Sequence, residues 1–265
     1  MDNLGFANES FYDVLSGNAF RANAWTAGPW DPGLQHGGPP AALLGRALET
    51  RRDSPDARVA SIVFDFYGPV PVSEVSIETE VLRPGTKVQL CSATLRANGR
   101  IAMRATAWHV RVEPGRSPAV PAPFVAPELP QGESEARFPQ MGRFPYGDAL
   151  EWRFVRGGYD RSGPATVWTR CRIPLVRGEA LSGLDRVLIA VDSANGVSAE
   201  LPFAEWTFVP IDLMVVLTRE PSQEWIGMDA RTTIGSDGVG ATDTLLFDGV
   251  GGIGRAVQTL YIARR

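Results

Sequence analysis

The sequence repeats its own order of elements, and an internal repeat constrains a fold more tightly than any single motif. Each half opens with short strand-like segments that contain tryptophan, FRANAWTAGPW at 20–30 and ATVWTRCRIPLV at 165–176. Each then has one segment of helical period. In the first half it is HGGPPAALLGRALETRR, 36–52, where Pro40, Ala41, Leu44, Ala47 and Leu48 recur near 3.6-residue spacing. Pro39 and Pro40 suit a first helical turn, where a missing N–H costs little. In the second half it is LSGLDRVLIAVDSANG, 181–196, with Leu184, Val187, Leu188 and Val191 as its apolar run and Asn195-Gly196 as its stop. A run of strands follows each helix and ends in a hairpin, at Asn98-Gly99 and at Gly249 to Gly252. Laying Ile101 on Ile253 pairs Thr106 with Gln258 and Trp108 with Leu260.

Between the halves, Glu113 to Pro145 holds eight prolines and no sustained apolar period, which reads as a linker or extended surface crossing. The expected organisation is therefore an N-terminal unit at 1–112, a Pro-rich linker at 113–147 and a C-terminal unit at 148–265. Each unit is one helix against a long antiparallel sheet, an α+β architecture. A single such unit leaves a sheet edge and a helix end exposed, and the second copy covers them.

Composition narrows the partners. A net charge of -4 argues against a nucleic-acid surface, which needs a basic face. Two cysteines, Cys91 and Cys171, make no disulfide framework and favour a reducing compartment. The N-terminus lacks a basic region followed by an apolar run, and no apolar stretch is long enough to span a bilayer. The expected location is the cytoplasm, with no membrane span.

Several chemistries drop out. Gly249-Val250-Gly251-Gly252-Ile253-Gly254 matches GxGxxG, but a dinucleotide site needs that pattern between a strand and a helix, and RAVQTLYIARR after it alternates like a strand. No GxSxG elbow is present. His36 and His109 have no zinc-like spacing with the cysteines, so no metal is expected. Catalysis would have to come from carboxylates, amides, hydroxyls and backbone groups, with no cofactor.

Three places could supply it. Gln35-His36-Gly37-Gly38 stands at a helix start, where exposed N–H groups and the helix dipole favour negative charge; it reads as an oxyanion-type donor or as an ordinary turn. Asp192 lies four residues after Leu188, on or beside the apolar helix face. A carboxylate there is a general base with a raised pKa, or a helix-end group bonding nearby N–H. Gln258 shares a strand face with Leu260 and Ile262, as a water-positioning amide or a solvent-facing one. Asp212, Thr232 and Thr233 are weaker candidates, and Asp65 occupies a place in the first half comparable to that of Asp212.

At these residues the sequence resembles the acyl-CoA thioesterase II family of double hot-dog proteins. HGGPPAALL looks like that family's first helix; LRPG at 82–85 and NGR at 98–100 resemble strand signals of its first half. AVDSANGVSAEL (190–201), IDLMVVL (211–217), QEW (223–225), DGVG (237–240) and GRAVQTL (254–260) resemble those of its second half. The resemblance implies two fused hot-dog domains, each a sheet wrapped around a central helix. It implies hydrolysis of acyl-CoA or a related acyl thioester, and leaves room for a homo-oligomer. Family members orient water with an aspartate, a threonine and a glutamine. The first and last fall on Asp192 and Gln258. The threonine falls near Pro210, which has no hydroxyl, so either Thr207 or Thr232 serves instead or the water is held differently. His36, Gly37, Gly38 and Asn195 are the expected substrate-binding residues, with the acyl chain in an apolar tunnel between the two helices. Two alternatives are a non-catalytic acyl-binding hot-dog protein and a hydratase. The hydratase would carry Asp-x4-His, but Val70, Val197 and Leu217 stand five residues after Asp65, Asp192 and Asp212.

Overall fold

The computed structural model describes residues 6, 8–120, 124–134 and 142–265. Residues 121–123 and 135–141 of the expected linker lie outside them. Two strands, β1 (Tyr12–Ser16) and β2 (Ala19–Ala22), precede the helix α1 (Gly38–Glu49). Then come β3 (Ala57–Phe66), β4 (Glu74–Arg83), β5 (Val88–Ala97) and β6 (Arg100–Arg111). The second half runs α2 (Pro145–Asp148), β7 (Leu150–Arg156), β8 (Ala165–Cys171), α3 (Gly183–Val191), α4 (Ala194–Val197), β9 (Trp206–Leu217), β10 (Ile226–Ile234), β11 (Val239–Asp248) and β12 (Gly251–Arg264).

All twelve strands form one sheet in the order β1-β2-β4-β5-β6-β3-β9-β12-β11-β10-β8-β7, and every pairing between these strands is antiparallel. Read outward from the centre, each half presents its strands in the same order: third, sixth, fifth, fourth, second, first. The halves meet where β3 pairs β9, with Phe64 opposite Leu213. The hairpin from β5 to β6 turns through Asn98 (φ 50°) and Gly99 (φ 74°), left-handed values that suit an asparagine and a glycine. The Gly-rich GxGxxG stretch turns β11 into β12, with Gly251 at φ 137°.

The alignment of Ile101 with Ile253 is out of register. Thr106 and Trp108 are exposed, whereas Gln258 and Leu260 face inward. Side chains alternate along a strand, so an odd-numbered slip reverses every face. The irregularities at Leu95/Arg96 and Leu246/Phe247 fall at equivalent places in the two halves, so the pairings lay Ala102 on Ile253 and Ala107 on Gln258, all four buried, one residue from the sequence alignment.

Both longer helices lie on the inner face of the sheet and pack against each other. Leu43, Leu44, Leu48, Leu184, Val187 and Leu188 are buried there. A side chain of this type contributes about 1.5–3 kcal/mol when fully buried. The helices run antiparallel. The last turn of α1 meets the start of α3, where Ser182 Oγ donates to Glu49 at 2.9 Å and Arg46 pairs with Glu179. Ser182 and Asp185 form a reciprocal capping box at that start. The seam between the helices is tight because two residues lack side chains. A Cβ on Gly38 would lie 2.2 Å from Ile189 O, and one on Gly45 would lie 2.2 Å from Leu188 Cδ1. The acyl tunnel expected between the helices therefore has no room along this seam.

The second helix is shorter than expected. It stops at Val191, turns at Asp192 and Ser193, and resumes as α4; Ser193 N–H returns to Ala190 O at 3.0 Å. Asn195 and Gly196 lie inside α4 rather than ending a helix. Among the described residues, no helix is long and apolar enough to cross a membrane.

Candidate active site

The antiparallel helix pair brings the start of α1 to the end of α3. His36 and Gly37 stand immediately before α1, and Asp192 immediately follows α3. Asp192 is 5% exposed, and each of its oxygens has a partner. Oδ1 accepts from Gln258 Nε2 at 3.4 Å, Oδ2 lies 3.2 Å from His36 Nδ1, and the Gly37 N–H donates to the carboxyl. Burial raises this carboxyl from 3.8 to about 7, and the bonds from Gly37 and Gln258 offset only part of that rise. A carboxyl at that value can take up or release a proton near neutral pH. His36 is driven the opposite way. Burial pulls its imidazole down to about 3, so the ring is neutral, its Nδ1 accepts from the Gly38 N–H, and its approach to Asp192 is not an ion pair.

Gln258 reaches this point because β12 turns it inward between Ala256 and Leu260. Its carboxamide is fully engaged. Nε2 also reaches Asp192 O at 3.3 Å, and Oε1 accepts the Asn195 N–H at 3.2 Å. Asn195 Nδ2 in turn donates to Phe208 O at 3.2 Å. The glutamine thus ties the Asp192–Asn195 turn to the sheet. The structure brings Asp192, Gln258, His36, Gly37 and Asn195 into one cluster.

The Gly37 and Gly38 amides were expected to face a substrate carbonyl. They are turned elsewhere, Gly37 to Asp192 and Gly38 to His36 Nδ1 at 3.1 Å. Close approach explains the glycines. A Cβ on Gly37 would sit 2.6 Å from Asp192 Oδ2 and 2.9 Å from the Phe66 ring.

Thr232 stands apart. Its hydroxyl bonds Ser198 and Thr242, each at 2.8 Å, and Ser198 donates to Ala194 O. β10 lies two strands from β12, roughly 10 Å across the sheet. Thr232 therefore braces α4 and does not meet Asp192. Pro210 pairs Leu260 beside a register irregularity, and Thr207 pairs Ala263 further along. Among the described residues, no hydrogen bond joins either threonine to Asp192.

One residue at the site escaped the sequence reading. Tyr146, from the last stretch of the Pro-rich linker, stacks on His36 with ring centroids 3.7 Å apart and planes 5° from parallel. Its hydroxyl donates to Ile189 O at 2.6 Å and meets Ser193 Oγ at 2.8 Å. The available signal was the pair Phe144 and Tyr146, aromatic residues in a stretch otherwise rich in proline, glycine and polar groups. Beside His36 opens a cavity of about 30 Å³, lined among others by Trp30, Phe144, Tyr159, Asn195 and Phe208. That volume admits a water or two. Trp30 meets the edge of Phe208 at 5.4 Å, and Phe203 packs on both.

Residues 26–110 match the profile of the acyl-CoA thioesterase N-terminal domain, and residues 118–262 match that of the acyl-CoA thioesterase C-terminal domain. No protein among curated sequences matches the chain. Among solved structures, the chain is similar to a protein assigned as a thioesterase II from Thermobifida fusca YX, at 18% identity and TM-score 0.73, covering 97% of this chain and 96% of that one. It is also similar to a protein of unknown function with a hot-dog fold from Alicyclobacillus acidocaldarius, at 17% identity and TM-score 0.73, covering 97% of each. A third is an acyl-CoA thioesterase II from Mycobacterium marinum, at 15% identity and TM-score 0.64, covering 96% of this chain and 95% of that one. At these identities the likeness establishes a shared hot-dog fold.

Proposed function

The chain belongs to the acyl-CoA thioesterase family, a thioester hydrolase by that membership, and from this premise we propose that Asp192, held by Gln258, activates the water that cleaves an acyl-CoA or related acyl thioester. The observation that carries this reading is the buried Asp192 carboxyl, raised to about 7 and fixed by His36, Gly37 and Gln258 beside an aromatic cavity. Water attacks the carbonyl carbon, its proton is taken up at the Asp192 cluster, the C–S bond breaks, and the thiolate receives the proton. Asn195 and His36 face the reacting group from the cavity wall. The acyl chain enters on the Trp30, Phe203 and Phe208 side, and those rings shift to admit it. Thr232 supports α4 from behind.

The same reading extends to the chain's organisation. We take it as two fused hot-dog domains, 1–112 and 148–265, each a sheet curved round its own helix, with 113–147 between them. The mirrored strand order supports this division. Asp192 and Gln258 come from the second domain, and His36 and Gly37 from the first.

Release of free thiol over a panel of acyl-CoA chain lengths tests the function, with Asp192→Asn and Asp192→Ala alongside. Hydrolysis by the wild type and its loss in both variants is expected. A wild type that binds acyl-CoA without turnover at any chain length would instead make this a non-catalytic acyl-binding protein.

A further inference from the structure

The cavity beside His36 holds about 30 Å³, whereas small-molecule sites commonly hold about 300–1,000 Å³. A long acyl chain therefore enters only when part of the wall gives way. The wall is not uniform. Phe208 belongs to β9, where it is buried and its carbonyl accepts from Asn195. Tyr159 is wedged edge-on against Trp152 and Phe154, and Phe144 is buried too. Trp30 differs. It lines the cavity and is also part-exposed, so it stands between the cavity and solvent. Its loop is closed by the Gly28 N–H to Leu34 O at 3.0 Å and anchored by the Val72 N–H to Gly33 O at 2.8 Å. Pro29 and Pro32 on either side of the indole have no N–H to give. Among the described residues, no hydrogen bond holds Trp30 itself.

Ring contacts hold it instead. Phe203 packs on the indole at 5.0 Å and Phe208 meets it edge-on at 5.4 Å. The guanidinium of Arg265 lies over it, 4.8 Å from the ring centroid. Arg265 follows β12 directly, and its own N–H donates to Glu205 O at 3.0 Å, in the turn that carries Phe203. One residue thus joins Trp30 to the Phe203 turn.

We propose that Arg265 is a specificity-determining residue that acts through Trp30: it latches the indole across the cavity, and the acyl groups accepted are those that can displace it. The proposal rests on the thioester hydrolysis read above and adds the residue that sets the size of its substrate. Arg265 is a positioning residue, remote from the Asp192 cluster. Gln258 lies seven residues back along the chain, roughly 20 Å at the rise of a strand. Loosening the latch therefore changes how often a long acyl chain finds the site open and leaves the chemistry alone. A site that is open for a fraction of the time binds more weakly by that fraction, so the effect falls on KM. An exposed cation–π contact of about 0.5–1 kcal/mol corresponds to about twofold to fivefold in the opening equilibrium.

The test compares wild type, Arg265→Ala and Arg265→Lys in hydrolysis of acetyl-, hexanoyl- and dodecanoyl-CoA. Amide hydrogen exchange at Gly28 and Leu34, both bonded within the loop, reads its opening without reference to activity. Arg265→Ala should lower KM for dodecanoyl-CoA about twofold to fivefold with kcat unchanged, and speed exchange at both amides by a similar factor. Acetyl-CoA, with a single methyl beyond its carbonyl, should respond least. Arg265→Lys keeps a cation over the ring and should stay close to wild type. Unchanged exchange at Gly28 and Leu34 in Arg265→Ala overturns the latch. Faster exchange with an unchanged chain-length preference overturns its role in specificity. An Arg265→Lys protein that matches Arg265→Ala overturns the proposal as well, because a cation over the ring is then not what holds it. If no form hydrolyses any acyl-CoA while exchange quickens in Arg265→Ala alone, the latch stands and the thioester reading fails.

Discussion

Gly37 and Asp192 approach so closely that a single methyl on the glycine would fall 2.6 Å from the carboxylate oxygen. The helix start and the helix end are thereby locked to one another. Gly37→Ala should displace the carboxyl and lower kcat about tenfold or more. Gly38→Ala meets backbone rather than a movable side chain, at 2.2 Å from Ile189 O. It should destabilise the fold by about 1–3 kcal/mol, the usual cost of overpacking. Thermal melting and kcat measured together separate the two effects.

Asp192 should cost stability that Asp192→Asn restores. Its folded value, about 7, lies above the 3.8 of the unfolded chain, so the folded state binds the extra proton between those limits. Stability contributed by this group is full below about pH 4 and declines as pH rises through 7. The difference is on the order of 4 kcal/mol. Asp192→Asn should therefore melt several degrees above wild type at pH 8 and converge with it near pH 4. Equal melting curves at pH 8 would show that the carboxyl is not penalised by burial.

Asp248 gives the opposite slope. It is fully buried, and burial alone pushes it up, but Arg219 and the N–H groups of Val250 and Ser222 outweigh that and hold it below its ordinary value. Its contribution is present above the unfolded carboxyl range and is lost as pH falls through its folded value. Asp248→Ala leaves Arg219 without its carboxylate partner and should cost about 3–5 kcal/mol. Acyl-CoA KM should not change, because the pair lies at the β11–β12 turn, away from the cavity.

Gln258→Leu keeps the side-chain volume but strands the Asn195 N–H and one Asp192 oxygen. A loss of about 1–3 kcal/mol in stability is expected, with kcat down at least tenfold. Thr232→Val, by contrast, breaks the bonds to Ser198 and Thr242, and kcat should stay within about threefold of wild type with a stability loss of about 1–3 kcal/mol. A collapse of kcat in Thr232→Val would restore the threonine to the site.

Trp30→Ala should enlarge the cavity and shift the chain-length preference of hydrolysis toward longer acyl groups. An unchanged preference would place the acyl chain elsewhere.

What the sequence revealed follows from which signals are local. Helical period and hairpin turns gave both long helices and the succession of elements along the chain, because each depends on residues close in the chain. The register of the repeat was one residue off, because the alignment matched two isoleucines by type, whereas the hairpin pairings put Ala102, not Ile101, in the place of Ile253. Asp192 and Gln258 stood out because each is polar among apolar neighbours on its own element. Tyr146 did not, because its place depends on a long segment folding back across His36, and no local spacing encodes that. Thr232 was drawn toward the site by its residue type, whereas strand order sets it two strands away. The Gly-Gly step suggested free amides, and the structure uses it for contact distance.

The mirrored strand order has a further consequence. In two identical subunits, every substitution at a helix end is made twice, and both ends must tolerate it. Here the two ends of the helix pair have become different. One joins Asp192 to His36 and Gly37 beside the aromatic cavity, and the other joins Glu49 to Ser182 beside a smaller cavity of about 10 Å³ without an aromatic lining. A single covalent chain can alter one end while the other keeps the structure, so substrate range and stability can change independently.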